Sequence, residues 1–226
     1  FKAMKGQTIG VIGGTGSGKS SLVNLIPRLY DATQGEVLVD GVNVKDYDIE
    51  ALRNKVGIVM QKAVLFKGTI RENMWMGKKG ATDEQIDEAL EISQSKEFVD
   101  SKQGRLDYVI EQGGKNLSGG QRQRLTIARA IVRKPDVLIL DDSASALDFA
   151  TDAALRKAIR GMNNSPTVFI VSQRAASLMY ADLIIVLDDG QVAGMGTHDE
   201  LLANCEVYKE IYESQFKKAD SEGGVA

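Results

Sequence analysis

Cysteine occurs once, at Cys205, so the chain cannot close an internal disulfide. A lone thiol fits a reducing compartment. Charge of one sign is also lacking. The 28 basic and 31 acidic residues leave a formal net charge of −3, which gives no electrostatic reason to expect nucleic acid as a partner. Long hydrophobic runs are missing too. The longest, "VFIV" and "LIIVL", have the length of core strands, far short of the ~20 apolar residues of a membrane helix. No signal-peptide pattern is present. Any membrane association therefore has to come through another chain or another segment. No internal repeat and no low-complexity segment is found.

What is present reads as a soluble α/β protein. The 226 residues, 43% hydrophobic and 26% charged, suffice for one large domain or a core with a subdomain. "QTIGVI" (7–12) is a short apolar strand leading into glycines and then into "SSLVNLIPRLY", with helical spacing. "GEVLVDG" (35–41) reads as a strand ending in a turn, and "VGIVMQ" (56–61) as a buried strand. Residues 69–134 read as mostly helical. Thr82 with Gln85 forms a capping-box pattern, and "SGGQRQRLTIARAIVRK" is an amphipathic helix stopped by Pro135. Three buried strands follow, "VLIL", "TVFIV" and "LIIVL", separated by helical stretches. Then come a hairpin at "DDGQVAG", the helical "HDELLANCEVYKEIYESQF" and a frayed tail, "KKADSEGGVA". Strands alternating with helices imply a mostly parallel sheet covered on both faces.

The chemistry begins at "GGTGSGKSS" (13–21). It contains G-x-x-x-x-G-K-S from Gly13 to Ser20, after a strand and before a helix, the context of a phosphate-binding loop. Gly13, Gly14, Thr15, Gly16, Ser17 and Gly18 form the loop, whose glycines allow a tight fold with successive N–H groups turned to phosphate. Lys19 is expected to reach the β- and γ-phosphates. Ser20 is expected to ligate Mg²⁺, with Ser21 beside it. "VLILDD" supplies an acidic strand end. Asp141, the first acid after the apolar run, is expected to hold Mg²⁺ through water. The bland readings are a glycine turn with an exposed lysine, and an aspartate that caps the next helix.

A phosphate loop alone says only that the chain handles a nucleoside triphosphate. "LSGGQRQR" (117–124), its place before the Asp141 strand, and Gln61 after a buried strand resemble the ATP-binding cassette (ABC) family, over essentially the whole chain. "VMQKAVLFKGTIRENM", "YVIEQGGKNLSGGQ" with Glu111, and "VLDDGQVAGMGTHDELL" look like the exporter branch, with multidrug-type half-transporters as the nearest kin. The resemblance implies a phosphate-loop core over 1–61 and 135–226, and a helical subdomain with the signature over 62–134. It also implies an antiparallel β part, cut short at the N-terminus. The implied ligands are ATP and Mg²⁺. The implied partners are a second nucleotide-binding domain packed head to tail and transmembrane domains outside this chain, which place it at the cytoplasmic face of the membrane. Ser118, Gly119, Gly120 and Gln121, at a helix start where N–H groups are free, would meet the γ-phosphate of the partner's ATP. Gln61 would contact Mg²⁺ and the attacking water.

Two positions depart from the family. Where it usually has glutamate to polarise the attacking water, this chain has Asp142, one methylene shorter. That withdraws the carboxylate by ~1.5 Å, and a positioned base is worth ~10²–10⁴-fold in rate. Where the family commonly has histidine, the chain has Gln173, whose amide can donate to a γ-phosphate but cannot carry a proton. In this the chain resembles heterodimeric exporters with one degenerate ATP site, and the resemblance implies a slow site here whose intact signature completes a partner's competent site. A slow homodimer is the alternative. The sole histidine, His198, reads as structural or exposed. Residues 1–12 offer Phe1 as the only aromatic before the loop. An adenine-stacking segment is therefore expected to be missing, with weaker nucleotide affinity as the result. Trp75 reads as a packing residue. Two other classes remain. A DNA-maintenance or translation ATPase would carry an insertion, a second cassette or a basic surface. A regulatory ATP-binding module would bind without turnover.

Overall fold

The computed structural model describes residues 1–143 and 146–222, with side chains through 215. In chain order the elements begin with β1 (Thr8–Gly13), α1 (Lys19–Asn24), β2 (Leu38–Val39), β3 (Val42–Asn43), α2 (Ile49–Lys55) and β4 (Val56–Val59). Next come β5 (Gly68–Thr69), α3 (Ile70–Trp75), α4 (Asp83–Ile92), α5 (Lys96–Asp100), β6 (Val109–Ile110) and α6 (Gly119–Ile131). The series ends with β7 (Val137–Asp141), α7 (Phe149–Arg160), β8 (Thr167–Val171), β9 (Leu183–Asp188), β10 (Gln191–Gly196), α8 (His198–Asn204) and α9 (Glu206–Glu222). They divide into two compact units, residues 1–52 with 167–226 and residues 53–166.

In the first unit β1 is central. It pairs in parallel with β8, Val11 opposite Val171, and with β9, Gly13 opposite Leu187. β10 returns antiparallel on β9 through Asp189 and Gly190, both at positive φ (42° and 76°). Two such residues form the tight turn whose twist matches a hairpin. Ile9, Val11 and Ile12 of β1 and Ile184, Ile185 and Val186 of β9 are all fully buried. A strand buried on both faces reads as a continuous apolar run, which is why these segments were legible. Beside α8, Tyr208 of α9 is fully buried, its hydroxyl 2.8 Å from His198 Nδ1. His198 is thus a packing residue of this corner.

In the second unit β4 and β7 pair in parallel, from Val56 opposite Val137 to Val59 opposite Leu140. Helix α6 buries Leu125, Ile127, Ala128 and Ile131 in packing against α3, α4 and β4. Gly77 follows α3, and a Cβ there would stand 2.0 Å from the Arg129 carbonyl oxygen of α6. Arg124, Arg129 and Arg133, on and just after α6, reach backbone carbonyls of other segments. Arg124 donates to Gln94 O and Arg129 to Val64 O at 2.9 Å. Arg133 donates to Gly77 O at 2.9 Å and Arg53 O at 2.8 Å. Burial pushes the pKa of all three guanidinium groups down.

Several elements differ from the sequence reading. Helix α1 stops at Asn24 rather than running on through "LIPRLY". Leu25 and Ile26 already bond three residues back, to Leu22 O and Val23 O, and Pro27 has no N–H to continue. The strand expected at 35–41 pairs only over Leu38–Val39, with β3 across the Asp40–Gly41 turn. That small ladder is the antiparallel β pairing of this region. Between β8 and β9 the expected helix is one short turn, Ala175–Ser177. At the C-terminus α9 runs to Glu222, into the stretch read as a tail; residues 223–226 lie outside the described residues. Trp75 is 40% exposed rather than packed away, though its Nε1 donates to Ala81 O at 3.0 Å.

Candidate nucleotide-binding site

The first unit builds a cradle where β1 leaves the sheet. A Cβ on Gly13 would lie 2.1 Å from the Leu187 carbonyl oxygen on β9, so only glycine lets the loop leave this close to its neighbour. Gly18 caps α1 at φ 92°, a backbone region that L side chains rarely adopt. Ser17 N donates to Gly14 O at 3.3 Å and closes the turn. Lys19 is buried and its Nζ donates to Gly13 O at 2.9 Å and Gly14 O at 2.6 Å, with Ser17 Oγ at 3.4 Å. Gly14, Thr15 and Gly16 are exposed, as are Ser20 and Ser21. The result is a short exposed loop of little side-chain bulk with an ammonium folded against it, which suits a polyphosphate.

Gln173 belongs to the same end of the same unit. Ser172 N donates to Val11 O at 3.1 Å, extending the β1–β8 ladder one residue beyond β8. Gln173 follows, exposed. The phosphate loop and Gln173 thus leave two paired parallel strands at their carboxyl ends, where α/β sheets bind ligands.

The second unit repeats this geometry with acids and amides. Asp141 closes β7 and is 4% exposed. Asp142 follows at φ 46°, a left-handed conformation. Gln61 lies two residues past Val59, as Asp142 lies two past Leu140, and Val59 and Leu140 are opposite in the ladder. Gln61 Nε2 donates to Asp142 Oδ2 at 3.1 Å.

The "SGG" segment opens α6. Ser118 is its N-cap, with its Oγ accepting from Gln121 N at 3.2 Å and Gln121 Oε1 accepting from Ser118 N at 3.1 Å. The Gln121 side chain is therefore engaged in a reciprocal capping box, a local duty its sequence reading did not include. Ser118 and Gly119 are exposed, and the Ser118 hydroxyl keeps its proton for donation outward. A Cβ on Gly120 would sit 3.3 Å from Ala146 O, tight enough to favour glycine. Arg122, not singled out in the sequence, donates to Leu117 O at 2.7 Å and Gly114 O at 3.3 Å and holds the approach to this helix.

The candidate metal donors are a hydroxyl (Ser20), a carboxylate (Asp141) and a side-chain amide oxygen (Gln61). These are hard oxygen ligands, the kind and small number that Mg²⁺ takes when substrate phosphates and water complete its shell. The residues fit the ion.

Residues 1–145 match the model of the ABC transporter family. The chain belongs to that family. The ABC transporter ATP-binding protein YfiB of Bacillus subtilis, itself uncharacterized, is 46% identical over 98% of this chain. A Staphylococcus aureus protein provisionally named a multidrug export ATP-binding/permease protein is 40% identical over 93% of it. The chain spans 38% and 36% of their respective lengths. Among solved structures, a bacterial Atm1-family ABC exporter with ATP bound superposes with a TM-score of 0.90 at 32% identity, covering 95% of this chain and 38% of that one. The α/β class and the mostly parallel strand pairing are thus those of an ABC ATP-binding domain. Among the described residues no helix is long and apolar enough to cross a membrane.

Proposed function

We propose that this chain is the nucleotide-binding domain of an ABC exporter, that it binds MgATP, and that it pairs head to tail with a second such domain. The observation that carries the reading is the Lys19 ammonium held over the Gly13–Gly16 loop. In this reading residues 1–61 and 135–226 form the core and 62–134 the helical subdomain. Transmembrane domains beyond this segment hold it at the cytoplasmic face.

Lys19 turns from its carbonyls to the β- and γ-phosphates, and the loop amides bind the remaining phosphate oxygens. Ser20, Asp141 and Gln61 would hold Mg²⁺, which would supply positive charge against the triphosphate. Asp142 accepts a hydrogen bond from the attacking water, which Gln61 orients. Gln173 donates its amide N–H to a γ-oxygen. Ser118, Gly119 and Gly120 present hydroxyl and backbone N–H groups to the ATP of the second chain. Asp142 is one methylene shorter than the family's glutamate, and Gln173 cannot shuttle a proton. The chain's own site is therefore slow, and its signature serves a different partner chain. A competent homodimer is the second reading, favoured by the Gln61–Asp142 hydrogen bond, which keeps the carboxylate beside the water-orienting amide.

Phosphate release with MgATP over a range of protein concentrations, with ATP binding measured in parallel, separates the two. Binding with negligible release, and turnover restored by Asp142→Glu with Gln173→His, supports the degenerate site. Release rising with the square of concentration supports the homodimer. Absence of binding overturns both.

A further inference from the structure

Gln173 sits on a loop that a side chain of the C-terminal helix holds from outside. On that loop, Ser172 N is tied to β1 through Val11 O, and Arg174 N donates to Ser172 Oγ at 2.9 Å. Two further backbone groups are taken by Gln215 of α9, forty and forty-two residues away in sequence. Gln215 Oε1 accepts from Ala175 N at 2.9 Å, and Gln215 Nε2 donates to Gln173 O at 2.7 Å. Both ends of the amide are used, and the partners fix which end is which, because one is an N–H and the other a carbonyl. The fork fixes the peptide planes on both sides of Arg174 while the Gln173 side chain stays exposed.

We propose that Gln215 is a positioning residue for Gln173. Through this fork the C-terminal helix sets where the Gln173 amide stands relative to the phosphate loop, and so how well the site tells ATP from ADP. The inference rests on the reading of Gln173 as a γ-phosphate donor. Ser172 supplies a local turn, whereas Gln215 links the loop to a separate element. A change in the seating of α9 would therefore be felt as a change in γ-phosphate recognition.

The test uses the full-length protein and two readouts. The first is hydrogen exchange at the Ala175 amide without nucleotide. The second is the ratio of ADP to ATP dissociation constants, for Gln173→Ala, Gln215→Ala and the double variant. Gln215→Ala is expected to speed Ala175 exchange at least tenfold and to lower the preference for ATP about tenfold, the scale of one hydrogen bond to a charged group. Adding it to Gln173→Ala should lower the preference no further. Gln215→Glu keeps the acceptor for Ala175 but loses the donor to Gln173. It should retain slow exchange and lose ATP preference, and it carries the test if Gln215→Ala fails to fold. Unchanged exchange in Gln215→Ala, or effects that multiply in the double variant, would overturn the positioning role alone. An unchanged ATP preference in Gln173→Ala would overturn the γ-phosphate reading and this inference with it.

Discussion

Gln61 and Asp142 leave neighbouring parallel strands at the same rung and meet through a hydrogen bond of 3.1 Å from Gln61 Nε2 to Asp142 Oδ2. The contact couples the amide assigned to orient water with the carboxylate assigned to polarise it. Asp142→Asn keeps an acceptor oxygen for Gln61 but removes the charge. Its unfolding free energy is expected to stay within about 0.5 kcal/mol of wild type. A competent homodimer should lose hydrolysis by ~10²–10⁴-fold, the worth of a positioned general base, whereas a degenerate site should lose far less, because its carboxylate is already withdrawn. Single-turnover phosphate release beside a denaturant titration checks both halves. Loss of stability with unchanged hydrolysis would remove Asp142 from the chemistry.

Gly77 predicts a packing defect between α3 and α6. A Cβ there would meet the Arg129 carbonyl at 2.0 Å and Val132 Cγ1 at 2.8 Å, and backbone cannot step aside as a side chain can. Gly77→Ala should destabilise the protein by ~2–4 kcal/mol, read by chemical denaturation. A cost below about 1 kcal/mol would show that α3 and α6 can separate without penalty.

Ser118→Ala removes one half of the capping box at the start of α6. The expected cost is ~1 kcal/mol by thermal or chemical unfolding. Ser118→Thr keeps a capping hydroxyl and should recover most of it. Equal losses in the two variants would argue against capping as the cause.

Tyr208 predicts an alkaline limit. Burial pushes its phenol up to about 12, against ~10 in the unfolded chain. A group with a raised folded pKa contributes its full stability below pH 10, and that contribution is lost as pH rises from 10 through 12. Tyr208→Phe has no such proton to lose. Its stability deficit relative to wild type should shrink by about 1 kcal/mol between pH 9 and pH 11, measured by urea midpoints. A deficit constant with pH would show that the phenol ionises without strain.

What the sequence made legible was whatever depends on local chemistry. The glycines of the phosphate loop, the apolar runs of β1, β7, β8 and β9, and the Thr82–Gln85 capping box each state their structure within a few residues. Its limits appear wherever a partner is distant. Helix α1 was overextended because apolar spacing persists past Asn24 while the hydrogen bonds tighten to three-residue closure before Pro27. The stretch at 35–41 has strand composition, but only Leu38–Val39 finds a paired neighbour. Gln215 looked like any glutamine on a C-terminal helix, since nothing near it in the chain names Gln173 or Ala175. Gly77 gave no signal either, because its requirement comes from the backbone of α6. Gln121 could have been recognised as a cap from its spacing to Ser118, the same three-residue offset that identified Gln85.

Three arginines on and just after α6 carry one more consequence. Arg124, Arg129 and Arg133 moor the helix to Gln94, Val64, Gly77 and Arg53 through main-chain oxygens. A carbonyl has a dipole but no net charge, so these moorings are not ion pairs that counter-ions can dissolve. The helix that presents Ser118 and its glycines is thus held by contacts that ionic strength barely touches. The phosphates it is proposed to recognise are among the most salt-sensitive ligands a protein binds.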